Sequence, residues 1–415
     1  MTRLVCIGDC HFGPQGGRNA DRYCAFDQIV SYGLALEHLG AWLLAGDLNH
    51  AKMTIEDRNA LATRLQTMAN RAPVLMVRGN HDAENDLEIF TRLEAAHAIQ
   101  LATAPRVYEL ALATGQRAAV ACLPYVFKGP LVGAGVGPAA LGQAARDHFD
   151  AILLSLANDL AIARSFGAFT VLLGHLNIGG AVSSVGQPQV GQDIELDSAL
   201  LARVPPTVPK IFGHIHKHQH IHGAWYLGSI ARMDFGEQEG KVFGVLSFET
   251  PDDYELEFLP IAVPGQHHVD GRLTREAFTI IAIDGDLVTE LPAQESWRGT
   301  DIRARYAFNP AEITALDVAK IHAEFAGCRS LKIEPVPDRA VEIRAPEIAA
   351  ATTLEAKVEA FCARSGLAWS AGVLAKLTAL QTQEREALLS AVASAAQDAG
   401  AVNLTEAATP ERVEA

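Results

Sequence analysis

Long hydrophobic runs, clustered cysteines and an excess of basic charge are all missing from this 415-residue sequence. With no stretch of about 18 uninterrupted apolar residues, it carries no transmembrane-helix signal. The opening run Leu4–Ile7 is too short for a secretion signal and leads straight into Asp9 and His11, residues assigned below to the reacting centre. A cytoplasmic location is expected. Cys6, Cys10, Cys24, Cys122, Cys328 and Cys362 include no Cys-x-x-Cys pair, which argues against a zinc ribbon and a disulfide framework. Free thiols in a reducing compartment are expected instead. Lys and Arg number 34 against 49 Asp and Glu, a net charge of −15. A protein that grips nucleic acid by neutralising phosphates is ordinarily basic. Tight, unaided DNA binding is therefore disfavoured, and such contact would need a basic partner or bound cations.

What is present suits a soluble protein with a sizeable core: 49% hydrophobic and 20% charged residues over a length that implies two or three units. Short apolar runs at Leu4–Ile7, Trp42–Ala45, Val74–Val77, Ala118–Leu123, Thr170–Leu173 and Lys210–Phe212 read as buried strands. Helical patterns lie between them. Thr54 followed by Asp57 resembles a capping box, opening a helix with Leu61, Leu65 and Met68 on one face. Glu84–Ile99 and Ala144–Phe166 are further helical candidates, and Ala224–Leu227, Val242–Phe248 and Tyr254–Ile261 further strands. The fold expected is α/β, two sheets flanked by helices, over residues 1–265. The Gly- and Ala-rich stretch Gly129–Gly142 has the wrong glycine spacing for a dinucleotide loop and reads as a surface loop. Pro264–Arg272 reads as a linker. Strands at Phe278–Ile283, Ile302–Phe308 and Ser330–Glu334, with a helix at Pro310–Phe325, make a small α+β unit over residues 272–346. Residues 352–399 read as two amphipathic helices, the first capped by Thr352, and residues 400–415 as a frayed tail.

Five short motifs each follow an apolar strand-like run. They are Gly8-Asp9-Cys10-His11, Gly46-Asp47-Leu48-Asn49-His50, Gly79-Asn80-His81-Asp82, Gly174-His175 and Gly213-His214-Ile215-His216. Residues at the carboxyl ends of strands converge on one edge of an α/β sheet, so five such loops can share one pocket. A glycine ahead of each polar residue permits a sharp turn or close backbone approach. Carboxylate, amide and imidazole donors without thiolates suit Mn²⁺, Fe²⁺ or Zn²⁺ rather than a structural zinc. A pair of cations needs a bridging carboxylate, and Asp47 is the natural candidate.

The ordered set resembles the calcineurin-like metallophosphoesterase superfamily over roughly residues 3–260. That resemblance implies two divalent metals, Mn²⁺ foremost. One is held by Asp9, His11, Asp47 and His216, the other by Asp47, Asn80, His175 and His214. It also implies that His81 faces the substrate, protonating the leaving oxygen with help from His50. The run from Gly213 through Lys217 and Gln219, then Tyr226-Leu227-Gly228-Ser229-Ile230 to Asp234-Phe235-Gly236-Glu237, is similar to the bacterial SbcD group of DNA-end nucleases. Leu123-Pro124-Tyr125 and Asp193–Leu201 are similar to the same group, and Arg303–Arg344 to its capping domain. The implied partners are DNA and an SbcC-like ATPase docked on the C-terminal helices, with homodimerisation left open and no membrane. Cys10 departs from the bulky residue usual in the family and is expected to pack in the core. His218, His220 and His222 fit an alternating strand with one solvent face, while His97, His148, His267, His268 and His322 carry no motif. The rival reading is a stand-alone phosphodiesterase or phosphatase for a small substrate such as a cyclic nucleotide. The intact motifs count against a third, a catalytically silent scaffold.

Overall fold

The computed structural model describes residues 1–13, 19–127, 141–187, 194–235, 237, 239–290, 297–313, 316–338 and 345–382. It divides into two units, Met1–Asp338 and Arg339–Ala415. In the first, two six-stranded sheets lie face to face. One runs in the order Glu255–Pro260, Val242–Phe248, Thr2–Ile7, Leu39–Leu44, Val74–Val77 and Ile99–Ala102, its last four strands parallel. The other runs Gln219–Ile221, Ala224–Tyr226, Lys210–Gly213, Phe169–His175, Arg117–Leu123 and Arg106–Ala111, parallel in its middle four.

Alternation along each strand builds three layers of core. Leu4, Cys6, Leu43 and Leu75 meet Val120, Val171, Leu173 and Ile211 between the sheets. Phe169 and Phe248 stack in that layer, with ring centroids 3.9 Å apart. Val5, Ile7, Trp42 and Met76 point the other way, under helices Asn19–Ala35 and Ile55–Ala69. The outer face of the second sheet lies under helix Leu141–Ser165 through Phe149, Leu153, Leu156 and Leu160. With both faces covered, the central strands are apolar throughout, and that is why they read as unbroken runs. Helix Ile55–Ala69 opens as expected, with Asp57 N donating to Thr54 Oγ1 at 3.1 Å.

Other elements depart from expectation. Glu84–Ile99 is not a helix. Glu88–Arg92 forms a short 3₁₀ turn whose Phe90 plugs the core. The chain then pairs as Ile99–Ala102 along Val74–Val77, satisfying that strand's free edge. Pro264–Arg272 is not a linker, because Gln266–Leu273 is the central strand of a third, five-stranded sheet. Its Gly271 lies where a Cβ would meet the Phe278 ring at 2.5 Å. The expected helix Pro310–Phe325 shrinks to Val318–Glu324, capped by Asp317. The stretch read as a Gly- and Ala-rich loop lies mostly outside the described residues.

The second unit contains helices Pro346–Ala350, Leu354–Arg364 and Ala371–Thr382. Thr353, not Thr352, caps the middle one by accepting from Ala356 N at 3.2 Å. Gly366, at φ +67°, terminates it with Leu367 N donating to Cys362 O at 2.9 Å. Residues 383–399 of the expected helical region and the 400–415 tail lie outside the described residues. Among the described residues no helix is long and apolar enough to cross a membrane.

Leu43 is fully buried between the two large sheets. Leu43→Ala is expected to cost about 2–5 kcal/mol of stability, measured as a lower urea midpoint at unchanged slope.

Candidate metal centre

All five motif loops leave the carboxyl ends of strands at one edge of the sandwich: Thr2–Ile7, Leu39–Leu44 and Val74–Val77 from one sheet, Phe169–His175 and Lys210–Gly213 from the other. Asp9, His11, Asp47, His175 and His214 are buried there, while His50, Asn80, His81 and His216 are half-buried. A cleft of about 310 Å³ opens over them. Asp47 Oδ2 lies 3.7 Å from His11 Nε2 and 3.2 Å from His175 Nε2, so one carboxylate oxygen faces both imidazoles. On one side of it, His11 Nε2 and His216 Nε2 meet at 2.9 Å. On the other, Asn80 Oδ1 sits 2.9 Å from His214 Nδ1 and 3.1 Å from His175 Nε2. Asp47 thus lies between His11 with His216 on one side and Asn80, His175 and His214 on the other, while Asp9 lies against His175 Nδ1 at 3.6 Å and the His214 peptide. His50 and His81 lie beside His11, their rings stacked with centroids 4.9 Å apart and His81 Nδ1 3.0 Å from His50 O.

The glycines act chiefly through close approach. A Cβ at Gly79 would meet Asp47 Oδ1 at 2.1 Å, at Gly213 the Ala45 carbonyl at 2.4 Å, and at Gly8 the Gly228 carbonyl at 2.0 Å. The left-handed backbone instead falls on three of the polar residues themselves, His11 (φ 51°), Asp47 (φ 48°) and His214 (φ 90°). Such conformations are unfavourable for a residue with a side chain and concentrate where surrounding contacts enforce them for function.

Burial dominates the electrostatics. It pushes the Asp9 carboxyl up to about 6, with His175 opposing and the charge of Asp47 adding to the rise. It also pushes Asp82 up to about 7, again with Asp47 adding. Burial and the neighbouring Lys241 charge hold the His216 imidazole down to about 3, and burial lowers His11 as well. Those two rings are therefore kept neutral, the form that binds a cation. At His175 burial is outweighed by Asp47, which lifts the imidazole to about 9. His175 Nδ1 lies 2.7 Å from the Ala45 carbonyl, so Nδ1–H donates there, and a cation at Nε2 would take the place of the proton that Asp47 stabilises on it.

The donor set fits divalent cations. Asp9 Oδ1 accepts from His214 N at 2.7 Å, but buried Oδ2 has no partner among the described residues. A buried carboxylate oxygen without a donor is costly, and a cation beside it removes that cost. Asp9, Asp47 and His175 bring ligand atoms within 4.8 Å of one another, as do His11, His50 and His81.

The family model for calcineurin-like phosphoesterases matches residues 2–218. The chain belongs to that family. A search of curated proteins returned no match. This phosphoesterase is a metal-dependent hydrolase, with its candidate ligands at the strand ends.

Several supporting residues had no sequence signal of their own. Gln187 spans the Gly213–His216 motif, donating to His214 O at 2.7 Å and accepting from His216 N at 3.1 Å. Buried Arg22 donates to His11 O at 2.6 Å. Asp82, which the third motif did include though without a role, ties two loops together, accepting from Gly79 N at 2.8 Å and Asn49 N at 3.0 Å. Cys10 is fully buried among apolar side chains, as its packing role required. His218 is not on a free face: it stacks on Trp225 and its Nδ1–H donates to Tyr226 O at 2.8 Å.

Asp47→Asn is expected to abolish hydrolysis and to lower metal content by elemental analysis. Gly79→Ala, which drives a methyl into Asp47, is expected to do the same in a protein whose circular dichroism is unchanged. Full activity of either variant in excess chelator would overturn the metal centre.

Proposed function

We propose that this phosphoesterase is a two-metal DNA nuclease of the SbcD type, Mn²⁺-dependent and working with an SbcC-like ATPase. The observation carrying this reading is that the metal cleft adjoins a larger groove of about 740 Å³, sharing Gly186 and Asp234 with it. Lys217, Arg303, Arg305 and His268 line that groove together with Asp234, Glu239 and Asp284, and His268, Arg303 and Arg305 come from the third sheet. A small phosphate ester would fill the cleft alone, whereas a strand of nucleic acid has further phosphates to place in the groove.

Bound cations, Mn²⁺ or alternatively Fe²⁺ or Zn²⁺, would hold the scissile phosphate, neutralise charge developing on it and acidify the attacking water. Asp9, His11, Asp47 and His216 would hold one, and Asp47, Asn80, His175 and His214 the other. His81 lines the cleft. With Nδ1 against the His50 carbonyl, its imidazolium can give the Nε2 proton to the departing sugar oxygen. His50 orients that ring through the same carbonyl and by stacking.

The small-substrate diesterase keeps one observation in its favour. Arg303 and Arg305 are already engaged by carboxylates, Glu334 at 2.9 Å and Asp270 at 3.0 Å. The two readings separate in an assay on linear duplex, hairpin and single-stranded DNA with a cyclic nucleotide as control. Cleavage of DNA in Mn²⁺ is expected, and His81→Ala should lower kcat by about 10²–10⁴-fold with both metals retained. Hydrolysis of the cyclic nucleotide alone would favour the small-substrate enzyme, and loss of metal in His81→Ala would make His81 a ligand.

The ATPase partner is assigned to the C-terminal helices. In the unit beginning at Arg339, Leu354, Phe361, Leu367 and Leu374 are exposed, an apolar array suited to helix docking. Deleting residues from Thr352 onward is expected to leave a metal-loaded hydrolase that no longer co-purifies with the ATPase. Unchanged association would move the docking surface to the third sheet.

A further inference from the structure

We infer that the buried Glu237–Lys241 ion pair is a positioning device for one metal of the pair, the one on the Asp9–His216 side. The inference rests on the metal-centre reading above. Between them, the two residues fix a short strap, Gly228–Ile230, that carries no proposed ligand but grips two of them by the backbone. Ser229 N donates to His216 O at 3.1 Å and Ile230 N to Asp9 O at 3.0 Å. Consecutive peptide groups therefore hold the main chains of two proposed ligands that lie more than 200 positions apart. Gly228, at φ +79°, admits no side chain there, since a Cβ would lie 2.7 Å from His216 O.

The strap is in turn pinned by Lys241. Its Nζ donates to Ser229 Oγ at 3.0 Å and to Glu237 Oε2 at 2.6 Å, and it approaches His216 O at 3.4 Å. Glu239 supplies a second carboxylate at 3.6 Å. Lys241 and Glu237 are both almost wholly buried, each side chain 1% exposed. A buried pair adds little net stability over a well-packed apolar equivalent, so its presence here is better explained by what it orients. None of these contacts touches Asn80, His175 or the His214 side chain directly, and the link to that side runs through the Asp9 carboxylate, which accepts from His214 N at 2.7 Å and lies 3.6 Å from His175 Nδ1. The effect should fall on one metal and spare the other.

Groups that orient metal ligands typically change affinity about 10–100-fold when removed. The test is the Glu237→Gln/Lys241→Met double variant, which strands neither charge, titrated with Mn²⁺ as the metal-free protein and followed by calorimetry and electron paramagnetic resonance. Wild type is expected to bind two Mn²⁺ and to show a spin-coupled pair. The double variant should bind one Mn²⁺ normally and the second about 10–100-fold more weakly, with an isolated Mn²⁺ signal at intermediate loading. Ser229→Ala, which removes only the hydroxyl under Lys241, should shift the same site in the same direction, and it decides the matter if the double variant does not fold. Two unchanged affinities, or equal weakening of both sites, would overturn the inference. A wild-type protein that bound no Mn²⁺ would instead sink the metal-centre reading beneath it.

Discussion

Three carboxylates, Asp9, Asp47 and Asp82, are buried at one edge of the sandwich, and much of the local structure answers to that constraint. Like charges in a medium that screens poorly repel strongly, and an ionised group removed from water must find compensation. Asp82 finds it in two backbone N–H groups, which simultaneously tie the second and third loops together. Asp47 finds it in His175 and in the backbone of His81, and its carboxyl is held well below the usual range despite burial. Asp9 is compensated on one oxygen only. The protein side of the balance is thus incomplete where a cation would complete it.

The same constraint explains where backbone strain is tolerated. Residues with side chains at positive φ are uncommon and need enforcement. His11 and Asp47 adopt it side by side, and the Asp47 carbonyl accepts from both Cys10 N and His11 N. Each loop therefore holds the other in its unfavourable conformation. Glycines at positions 8, 79 and 213 contribute by having no Cβ where another loop's backbone or carboxylate passes. An ordinary loop at a strand's carboxyl end has no reason to bring chains this close. A centre that must draw donors from both sheets to a common point does.

Much of this was legible in the sequence, and for a physical reason. Strands buried on both faces must be apolar throughout, so Thr2–Ile7 or Phe169–His175 stand out against polar loops, and a Gly-Asp or Gly-His directly after them marks a strand end. The helix at Ile55 announced itself through Thr54 because capping is local chemistry. Elements decided by long-range pairing were less visible. Ile99–Ala102 is strand because an edge lay waiting beside Val74–Val77. Gln266–Leu273, within the stretch read as a linker, is strand because it pairs with Phe278–Ile283 on one side and Asp301–Phe308 on the other, and its Gly271 leaves room for the Phe278 ring rather than marking a turn. Gln187, Arg22 and Lys241 act on carbonyls and peptide N–H groups far away in sequence, and no short motif can encode a partner that only the fold supplies.

The acidity of the chain fits the proposed chemistry once the roles of charge are separated. A net charge of −15 repels a polyphosphate at long range, although that repulsion is screened beyond about 10 Å at moderate salt. At the reacting phosphate the relevant charge is local. Two divalent cations would add four positive charges within the space of the three buried carboxylates and reverse the sign of the potential there. Under the proposed function, chemistry and capture are then supplied by different parts. The cations would hold the scissile group, the Lys217–Arg305 groove would set the path of neighbouring phosphates, and the bulk of the binding free energy would come from an associated ATPase. Under that reading the enzyme would hold DNA weakly by itself and cut where its partner had already brought an end. That restraint suits an enzyme whose reaction cannot be undone.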